Sequence, residues 1–244
     1  MADDFEGVIR NVSEMGYEGV EFAGLYGRTA QQVKDLCSGL GIEPVSAHVL
    51  HTELLNDMSL LPTYAEIGCK YMVIPFAAEP YRPGHEKFEE FLSDIRILGK
   101  QAKELGMKLC YHNHGFEFAK INGEYGLDII FGEIPKDILE TELDACWVKY
   151  MNEDPCRYIR KYADRTNIIH FKDFVVNEVN IGDKTEKILE YRPIGQGCQD
   201  VPALLSAAKD VCAEWIIVEQ DEPTPGKTAY ECAKDSVKYL KSIL

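Results

Sequence analysis

Residues 105–114 read Leu-Gly-Met-Lys-Leu-Cys-Tyr-His-Asn-His, and this stretch carries the pattern that decides the fold. A long amphipathic segment ends at a glycine, and a short apolar run follows within a few residues. The pattern is typical of a helix with a glycine C-cap that leads through a short loop into a buried strand. It recurs around Gly16, Gly41 and Gly68. Repeated units of this kind predict a parallel sheet covered by helices.

The alternation predicts eight helices and seven strands, without a Pro/Ser/Gly-rich linker or charge block between them. We therefore expect one domain over residues 1–244. The predicted helices are 4–15, 29–40, 53–67, 85–105, 125–131, 154–163, 200–211 and 228–243. The predicted strands are 19–23, 44–49, 71–76, 108–114, 139–143, 167–172 and 215–220.

So many units in one domain favour a closed (β/α)8 barrel. The count is one strand short, because a helix comes first and eight helices accompany seven strands. We expect that the strand which opens such a barrel is absent, so that the start is truncated, the barrel closes with a gap, or another segment fills the gap. The runner-up is an open doubly wound sheet, weakened because no Gly-x-Gly-x-x-Gly follows a strand.

The composition is that of an acidic globular protein. The 244 residues include 26 Lys and Arg against 41 Asp and Glu, a formal net charge of −15. A general nucleic-acid binder needs a basic face, so the charge argues against one. No apolar stretch has the length of a membrane span, and the start over Met1–Glu6 is acidic where a secretory signal is basic. We expect a soluble, cytoplasmic protein without nucleic-acid or membrane partners.

Carboxylates and imidazoles gather where the predicted strands end, and these ends meet at one mouth of a parallel barrel. Unpaired charges there are costly, and a divalent metal is their simplest partner. Ligands of this kind, without thiolates, favour Mn²⁺, Mg²⁺, Co²⁺ or Zn²⁺. The residues are Glu21, His48, His51, His112, His114, Glu117, Glu142, Asp144, His170, Lys172, Asp173 and the run Glu219–Glu222.

Three of these residues, Asp144, His170 and Glu219, end three different apolar strands, which packing alone does not explain. They are the strongest candidates for metal ligands. A separate loop, Arg192–Gly197, is the one glycine-containing loop that could offer backbone amides to a phosphate. A plain connecting loop is the alternative reading of that segment, so an unphosphorylated sugar is at least as well supported as a sugar phosphate.

The strand ends resemble those of the xylose isomerase-like TIM-barrel superfamily, and more narrowly its bacterial sugar phosphate isomerase/epimerase branch. The resemblance runs from about residue 5 to the C-terminus and is carried by residues 16–24, 111–118, 142–148, 169–173 and 218–221.

The family's metal site of Glu, Asp, His and Glu implies Asp144, His170 and Glu219 for three ligands in this chain. His112 occupies the register of the family's first glutamate, and Glu117 lies five residues later. We predict that Glu117 folds back to the metal and that His112 faces the substrate. The opposite assignment stays open.

The resemblance implies a metal-dependent sugar isomerase or epimerase that moves a proton next to a carbonyl through an enediolate. Glu219 and either Glu117 or His112 are the expected acid and base, and Lys172 is expected to polarise the carbonyl. The remaining expected substrate contacts are Glu21, His48, His114 and Asp173.

Three other functions compete with this one. The same metal site could serve a dehydratase or lyase of a keto-sugar or inosose, or the barrel could be non-catalytic. An apurinic endonuclease is disfavoured, because it needs a basic face and a larger ligand set. The expected partner is a small carbohydrate. A homodimer or homotetramer is also expected, since the seam of an absent strand invites pairing.

Overall fold

The computed structural model describes residues 4–181 and 184–244, with the side chains of these ranges except at positions 179–181 and 184–186. The strands in these ranges are, in chain order, β1 (Gly19–Phe22), β2 (Glu43–His48), β3 (Tyr71–Ile74), β4 (Lys108–His112), β5 (Lys120–Ile121), β6 (Glu124–Tyr125), β7 (Glu140–Asp144), β8 (Thr166–Phe171), β9 (Asp173–Ile181), β10 (Lys184–Arg192) and β11 (Trp215–Val218).

The helices surround the main sheet, and several end as the sequence predicts. Gly16, Gly41 and Gly68 cap α1, α2 and α4 with φ angles of 90°, 64° and 113°, which a residue with a side chain rarely adopts. The helices are α1 (Phe5–Met15), α2 (Ala30–Leu40), α3 (His51–Asn56), α4 (Leu60–Ile67), α5 (Phe88–Glu104), α6 (Gly126–Glu133), α7 (Ala145–Tyr150), α8 (Pro155–Lys161), α9 (Val201–Asp210) and α10 (Ala229–Ile243), with short 3₁₀ helices at Glu79–Tyr81 and Phe116–Phe118.

Seven parallel strands form a nearly closed barrel in the order β1-β2-β3-β4-β7-β8-β11. The predicted barrel with seven visible strands is therefore confirmed. β1 and β11 are its two edges, and no ladder joins them within the described ranges. A cavity of about 870 Å³ runs along this gap, with Phe5, Val20, Ile216 and Leu240 among its apolar walls. The described part of the barrel therefore has a gap between β1 and β11.

The alternation of side chains along the strands separates the barrel interior into an apolar floor and a polar mouth. Val45, Val73, Cys110 and Ile168 pack together as the floor. Successive side chains of a strand point to opposite faces, so the next interior position lies two residues further on. In β4 that step leads from Cys110 to His112, which places polar side chains directly above the apolar floor.

Two helical segments differ from the prediction for local reasons. The predicted helix 53–67 is two helices, because the Asp57 carboxylate accepts hydrogen bonds from the Ser59 amide at 3.0 Å and hydroxyl at 2.6 Å, forming a turn that interrupts it. Helix α7 was not expected from the sequence. It begins because the Asp144 carboxylate caps the amides of Cys146 and Trp147.

The long antiparallel hairpin of β9 and β10 was also missed. Its strands pair from Asp173 with Arg192 to Ile181 with Lys184. The signal in the sequence is two β-rich segments, 173–181 and 184–192, flanking a Gly-Asp dipeptide, which is a recognised hairpin pattern. Within the described ranges, no helix combines the length and hydropathy that a membrane crossing needs.

Alanine substitution at two helical glycines is expected to change the free energy of unfolding in opposite directions. A Cβ atom at Gly99 in α5 would overlap with the carbonyl oxygen of Ile138, whereas a Cβ atom at Gly39 in α2 would meet nothing within 4 Å. We expect Gly99→Ala to lower the free energy of unfolding by about 1 to 3 kcal/mol through overpacking. Gly39→Ala is expected to raise it by about 0.5 to 1 kcal/mol through helix propensity. Urea denaturation measures both, and a Gly99→Ala variant as stable as Gly39→Ala would contradict the close packing.

Candidate metal centre

Four side chains from four neighbouring strands converge at the mouth of the barrel. His112 ends β4, Asp144 ends β7, His170 lies in β8 and Glu219 follows β11. One ligand atom from each lies within 4.8 Å of the other three. We call this set the upper tetrad. Parallel pairing aligns the strand ends, so residues far apart in sequence meet at one point.

The upper tetrad fits a divalent cation. One oxygen of Asp144, Oδ1, accepts hydrogen bonds from the amides of Cys146 and Trp147 at 2.7 and 3.2 Å. The other, Oδ2, is buried and accepts no hydrogen bond from the described residues. It lies 3.5 Å from His112 Nε2, while His170 Nδ1 lies 3.0 Å from Glu219 Oε2. Two imidazoles and two carboxylates around an unsatisfied buried oxygen are a donor set for a divalent transition metal or Mg²⁺.

A second group lies deeper in the barrel and shares two histidines with the first. Its members are His48, His112, Glu142 and His170, again with ligand atoms within 4.8 Å. We call it the lower tetrad. Glu142 Oε2 lies 2.7 Å from His48 Nε2, 3.1 Å from His112 Nδ1 and 3.1 Å from His170 Nε2. Glu21 adds a carboxylate, with Oε1 at 3.1 Å from His48 Nε2 and 2.9 Å from His170 Nε2.

A lysine completes the charge balance of the mouth. Lys172 is only 2% exposed, and its Nζ lies 2.7 Å from Glu219 Oε2, 3.3 Å from Asp144 Oδ2 and 3.2 Å from Asp221 Oδ1. Burial alone would lower the pKa of Lys172, but these three carboxylates outweigh it and raise the pKa above its ordinary value. Lys172 is therefore a fixed cation beside the upper tetrad.

The mouth also places an ionised carboxylate beside protonated groups. Burial alone would raise the pKa of Glu219, but His170 and Lys172 hold it well below its usual range. Burial would likewise lower the pKa of His48, yet Glu21 and Glu142 raise it to about 9. At neutral pH the site thus offers a carboxylate that can accept a proton and an imidazolium that can donate one.

The structure places Glu117 away from both tetrads, unlike the expected fold back to the metal. Its buried carboxylate accepts hydrogen bonds from the Tyr111 hydroxyl at 2.6 Å and the His114 amide at 2.9 Å. Burial raises the pKa of Glu117 to about 7. The tight 3₁₀ turn over Phe116–Phe118 directs the side chain to Tyr111, which faces the helices. Of the two expected first ligands, His112 is the one that the structure brings to the centre.

Asp173 also differs from its expected role as a substrate contact. Its buried carboxylate accepts hydrogen bonds from the amides of Phe174, Gly195 and Gly197 at 2.9 Å each and of Gln199 at 3.0 Å. The glycine-containing loop that could hold a phosphate therefore binds an anion of its own chain. Amides used in this way are not free for a phosphate, so the reading of that segment as a connecting loop is the one that the geometry supports.

The remaining expected site residues lie around the mouth. His48 and Glu21 line the cavity that reaches Glu219. His114 stacks on Phe116 and Trp147, with ring centroids 5.7 and 5.3 Å apart, and burial lowers its pKa to about 4. His51 turns away from the mouth and packs against Tyr81 and Phe91, and burial lowers its pKa to about 4.

Comparison with known proteins decides the family. A family model described as "Xylose isomerase-like TIM barrel" matches residues 9–243. The chain belongs to the xylose isomerase-like TIM-barrel family. It is an enzyme of that superfamily, as the resemblance of its strand ends predicts.

Several known proteins are similar to this chain. An inosose dehydratase of Geobacillus kaustophilus is 23% identical over 270 residues, covering 97% of this chain and 86% of the relative. A sugar phosphate isomerase/epimerase structure from Parabacteroides distasonis has a TM-score of 0.74 at 19% identity, covering 98% of this chain and 88% of that one. The structure of an IolI protein with a bound zinc atom has a TM-score of 0.71 at 20% identity, covering 98% and 92%.

Glu142 is the residue of this xylose isomerase-like centre whose importance the sequence did not reveal. It appeared among the polar strand ends but received no role. Its position was available from the strand period, because Glu142 lies two residues before Asp144 and therefore points to the same interior face. Its partners belong to three other strands, which only the assembled barrel shows.

The Asp173 clamp gives a prediction for stability. Asp173→Asn removes the charge and one acceptor from four backbone donors that share this buried carboxylate, so we expect the free energy of unfolding to fall by about 3 kcal/mol. Asp200→Asn is the matched control, because Asp200 caps α9 with a single exposed hydrogen bond to Ala203, and asparagine caps equally well. Urea denaturation should leave the control within about 0.5 kcal/mol of wild type. Equal stabilities for the two variants would contradict the clamp.

Proposed function

We propose that the chain is a divalent-metal-dependent lyase that removes water from a small keto-sugar or inosose. The observation that carries the proposal is the pairing of one reachable carboxylate with protonated side chains around the upper tetrad. Glu219 is 31% exposed at its side chain, whereas Asp144 and Glu142 are fully buried. Dehydration next to a carbonyl needs one base for the carbon-bound proton and one acid for the departing hydroxyl.

The placement of Glu117 supports elimination over epimerisation. A two-base epimerase needs a second base opposite Glu219, and either His112 or Glu117 was expected in that role. His112 is a proposed metal ligand, which leaves Glu117. Its carboxylate instead holds Tyr111 and the amide of His114. The inosose dehydratase name of the Geobacillus kaustophilus relative supports the same choice.

The proposed metal ligands are the upper tetrad: His112, Asp144, His170 and Glu219. An ion held by these residues would supply Lewis acidity toward the carbonyl of the substrate. Two imidazoles with two carboxylates favour Zn²⁺, Mn²⁺ or Co²⁺ over Mg²⁺. The zinc-containing IolI structure supports a metal of this class.

The proposed proton transfers use side chains that the mouth exposes. The Glu219 carboxylate takes the proton from the carbon next to the carbonyl, and the electron pair of that C–H bond forms the new double bond. The bond to the hydroxyl on the following carbon breaks, and the His48 imidazolium gives its proton to that hydroxyl so that it leaves as water. Lys172, held charged by three carboxylates, orients the carbonyl oxygen.

The rim of the mouth suits the rest of a carbohydrate. His114, Phe116 and Trp147 form a group of stacked rings beside the tetrad, and the C–H face of a sugar or cyclitol packs on such rings. Glu21 Oε2 accepts a hydrogen bond from Ser46 Oγ at 2.7 Å. The carboxylate is positioned to accept a further hydrogen bond from a substrate hydroxyl.

A sugar isomerase or epimerase is the second candidate. The name of the Parabacteroides distasonis neighbour favours it, and both reactions begin with the same proton removal. The product separates them, because dehydration yields an enone that absorbs in the ultraviolet, whereas isomerisation reaches an equilibrium of saturated sugars.

Metal content and turnover of an inosose test the proposal. We expect about one divalent ion per chain after dialysis, and ultraviolet absorbance that rises when 2-keto-myo-inositol is added. Glu219→Gln is expected to lower the rate by about 10²- to 10⁴-fold, the range for losing a general base. His170→Ala is expected to lose the metal.

Glu222→Gln is the control on the same loop, since its exposed side chain lies outside both tetrads. Deuterium entry from D₂O without a rise in absorbance would favour the isomerase. Metal-free wild-type protein that stays inactive with added Mn²⁺ would contradict both enzymes.

A further inference from the structure

We infer that Glu142 is a positioning residue of the metal centre, which orients His112 and His170 so that their free nitrogens face the upper tetrad. This inference rests on the proposed metal site and deepens it. Glu142 is fully buried, so it has no access to substrate. It acts through the histidines that it contacts.

His112 and His170 belong to both tetrads, and in each ring one nitrogen faces the upper tetrad while the other faces Glu142 in the lower tetrad. His112 presents Nδ1 to Glu142 at 3.1 Å and Nε2 to Asp144 at 3.5 Å. His170 presents Nε2 to Glu142 at 3.1 Å and Nδ1 to Glu219 at 3.0 Å. A neutral imidazole has one N–H and one lone pair, so each ring can ligate an ion in one tetrad only.

The carboxylate of Glu142 decides which nitrogen carries the hydrogen. An ionised carboxylate accepts hydrogen bonds and donates none, so the nitrogens that face it carry N–H groups. His112 Nδ1 forms such a hydrogen bond, and His48 Nε2 forms another at 2.7 Å to the same oxygen. His170 Nε2 lies 3.1 Å from that oxygen and 2.9 Å from Glu21 Oε1, as ion contacts. The lone pair of His112 is therefore left on Nε2, toward Asp144. His170 Nδ1 is hydrogen-bonded to the Glu219 carboxylate, so an ion bound there would displace its proton, and Nε2 would keep the N–H toward Glu142 and Glu21.

We therefore assign the ion to the upper tetrad, and the lower tetrad orients the histidines that bind it. A catalytic ion needs a position open to substrate. Glu219, in the upper tetrad, is 31% exposed, whereas Glu142 in the lower tetrad is fully enclosed. Carboxylates that accept the second N–H of a metal-bound histidine usually contribute about 10- to 100-fold to metal affinity.

Calorimetric titration of the chelator-treated full chain with Zn²⁺ tests the inference, together with the visible absorption of the Co²⁺ form. Glu142→Gln keeps one neutral acceptor, and we expect about tenfold weaker binding. Glu142→Leu removes both acceptors, and we expect binding weaker by up to about 100-fold. The Co²⁺ absorption should shift in both variants, since the histidines lose their fixed orientation.

Glu140→Gln is the matched control. Glu140 lies two residues earlier in β7 and pairs with Lys108 at 2.7 Å, outside both tetrads. It should bind Zn²⁺ within twofold of wild type with an unchanged Co²⁺ spectrum. Thermal denaturation of the metal-free variants checks folding, and Glu142→Gln alone decides the result if Glu142→Leu does not fold.

Wild-type affinity and an unchanged spectrum in Glu142→Gln would overturn the inference while leaving the proposed function in place. Complete loss of binding in Glu142→Gln with intact binding in Asp144→Asn would also overturn it, because the ion would then lie in the lower tetrad. Absence of binding in the wild type would overturn the proposed function itself.

Discussion

The balance of charge inside the mouth of the barrel is the constraint on which the rest of this structure depends. Carboxylates of Asp144, Glu142 and Glu219 lie among imidazoles, with Lys172 buried beside them. Charges removed from water are tolerated only when each has partners of opposite sign. Asp144 keeps one buried oxygen without a hydrogen bond in the described part of the chain. Lys172 Nζ lies 3.3 Å from this oxygen as an ion contact, and a divalent cation bound by the upper tetrad would supply a closer partner.

The alternation of side chains along the barrel strands produces this concentration of charge. In three strands an apolar side chain at the floor is followed, two residues later, by a polar side chain at the mouth: Cys110 and His112 in β4, Ile168 and His170 in β8, and Ile217 and Glu219 at the end of β11. An apolar floor beneath charged groups lowers the local polarity, which strengthens the electrostatic interactions above it. Asp144 has a further structural task, because the oxygen that it turns away from the centre caps α7. The fold and the site are therefore coupled through that one side chain.

The sequence predicts most of the barrel and part of its centre. Asp144, His170 and Glu219 were identified because each lies at the end of an apolar run. In a parallel barrel, the carboxyl ends of all strands meet at the same mouth. Glu117 was misplaced because a 3₁₀ turn follows β4, and the direction of a side chain in such a turn depends on contacts with Tyr111. Asp173 was misplaced because its partners are backbone amides of a loop 22 to 26 residues later, which no side-chain pattern marks.

Anomalous X-ray scattering from crystals of the Zn²⁺-loaded protein tests the central claim most directly. The account predicts one peak in the upper tetrad, within about 2.0 to 2.2 Å of His112 Nε2, His170 Nδ1 and one oxygen each of Asp144 and Glu219. A peak bound by His48 and Glu142 instead would contradict it, as would zinc found only at surface sites.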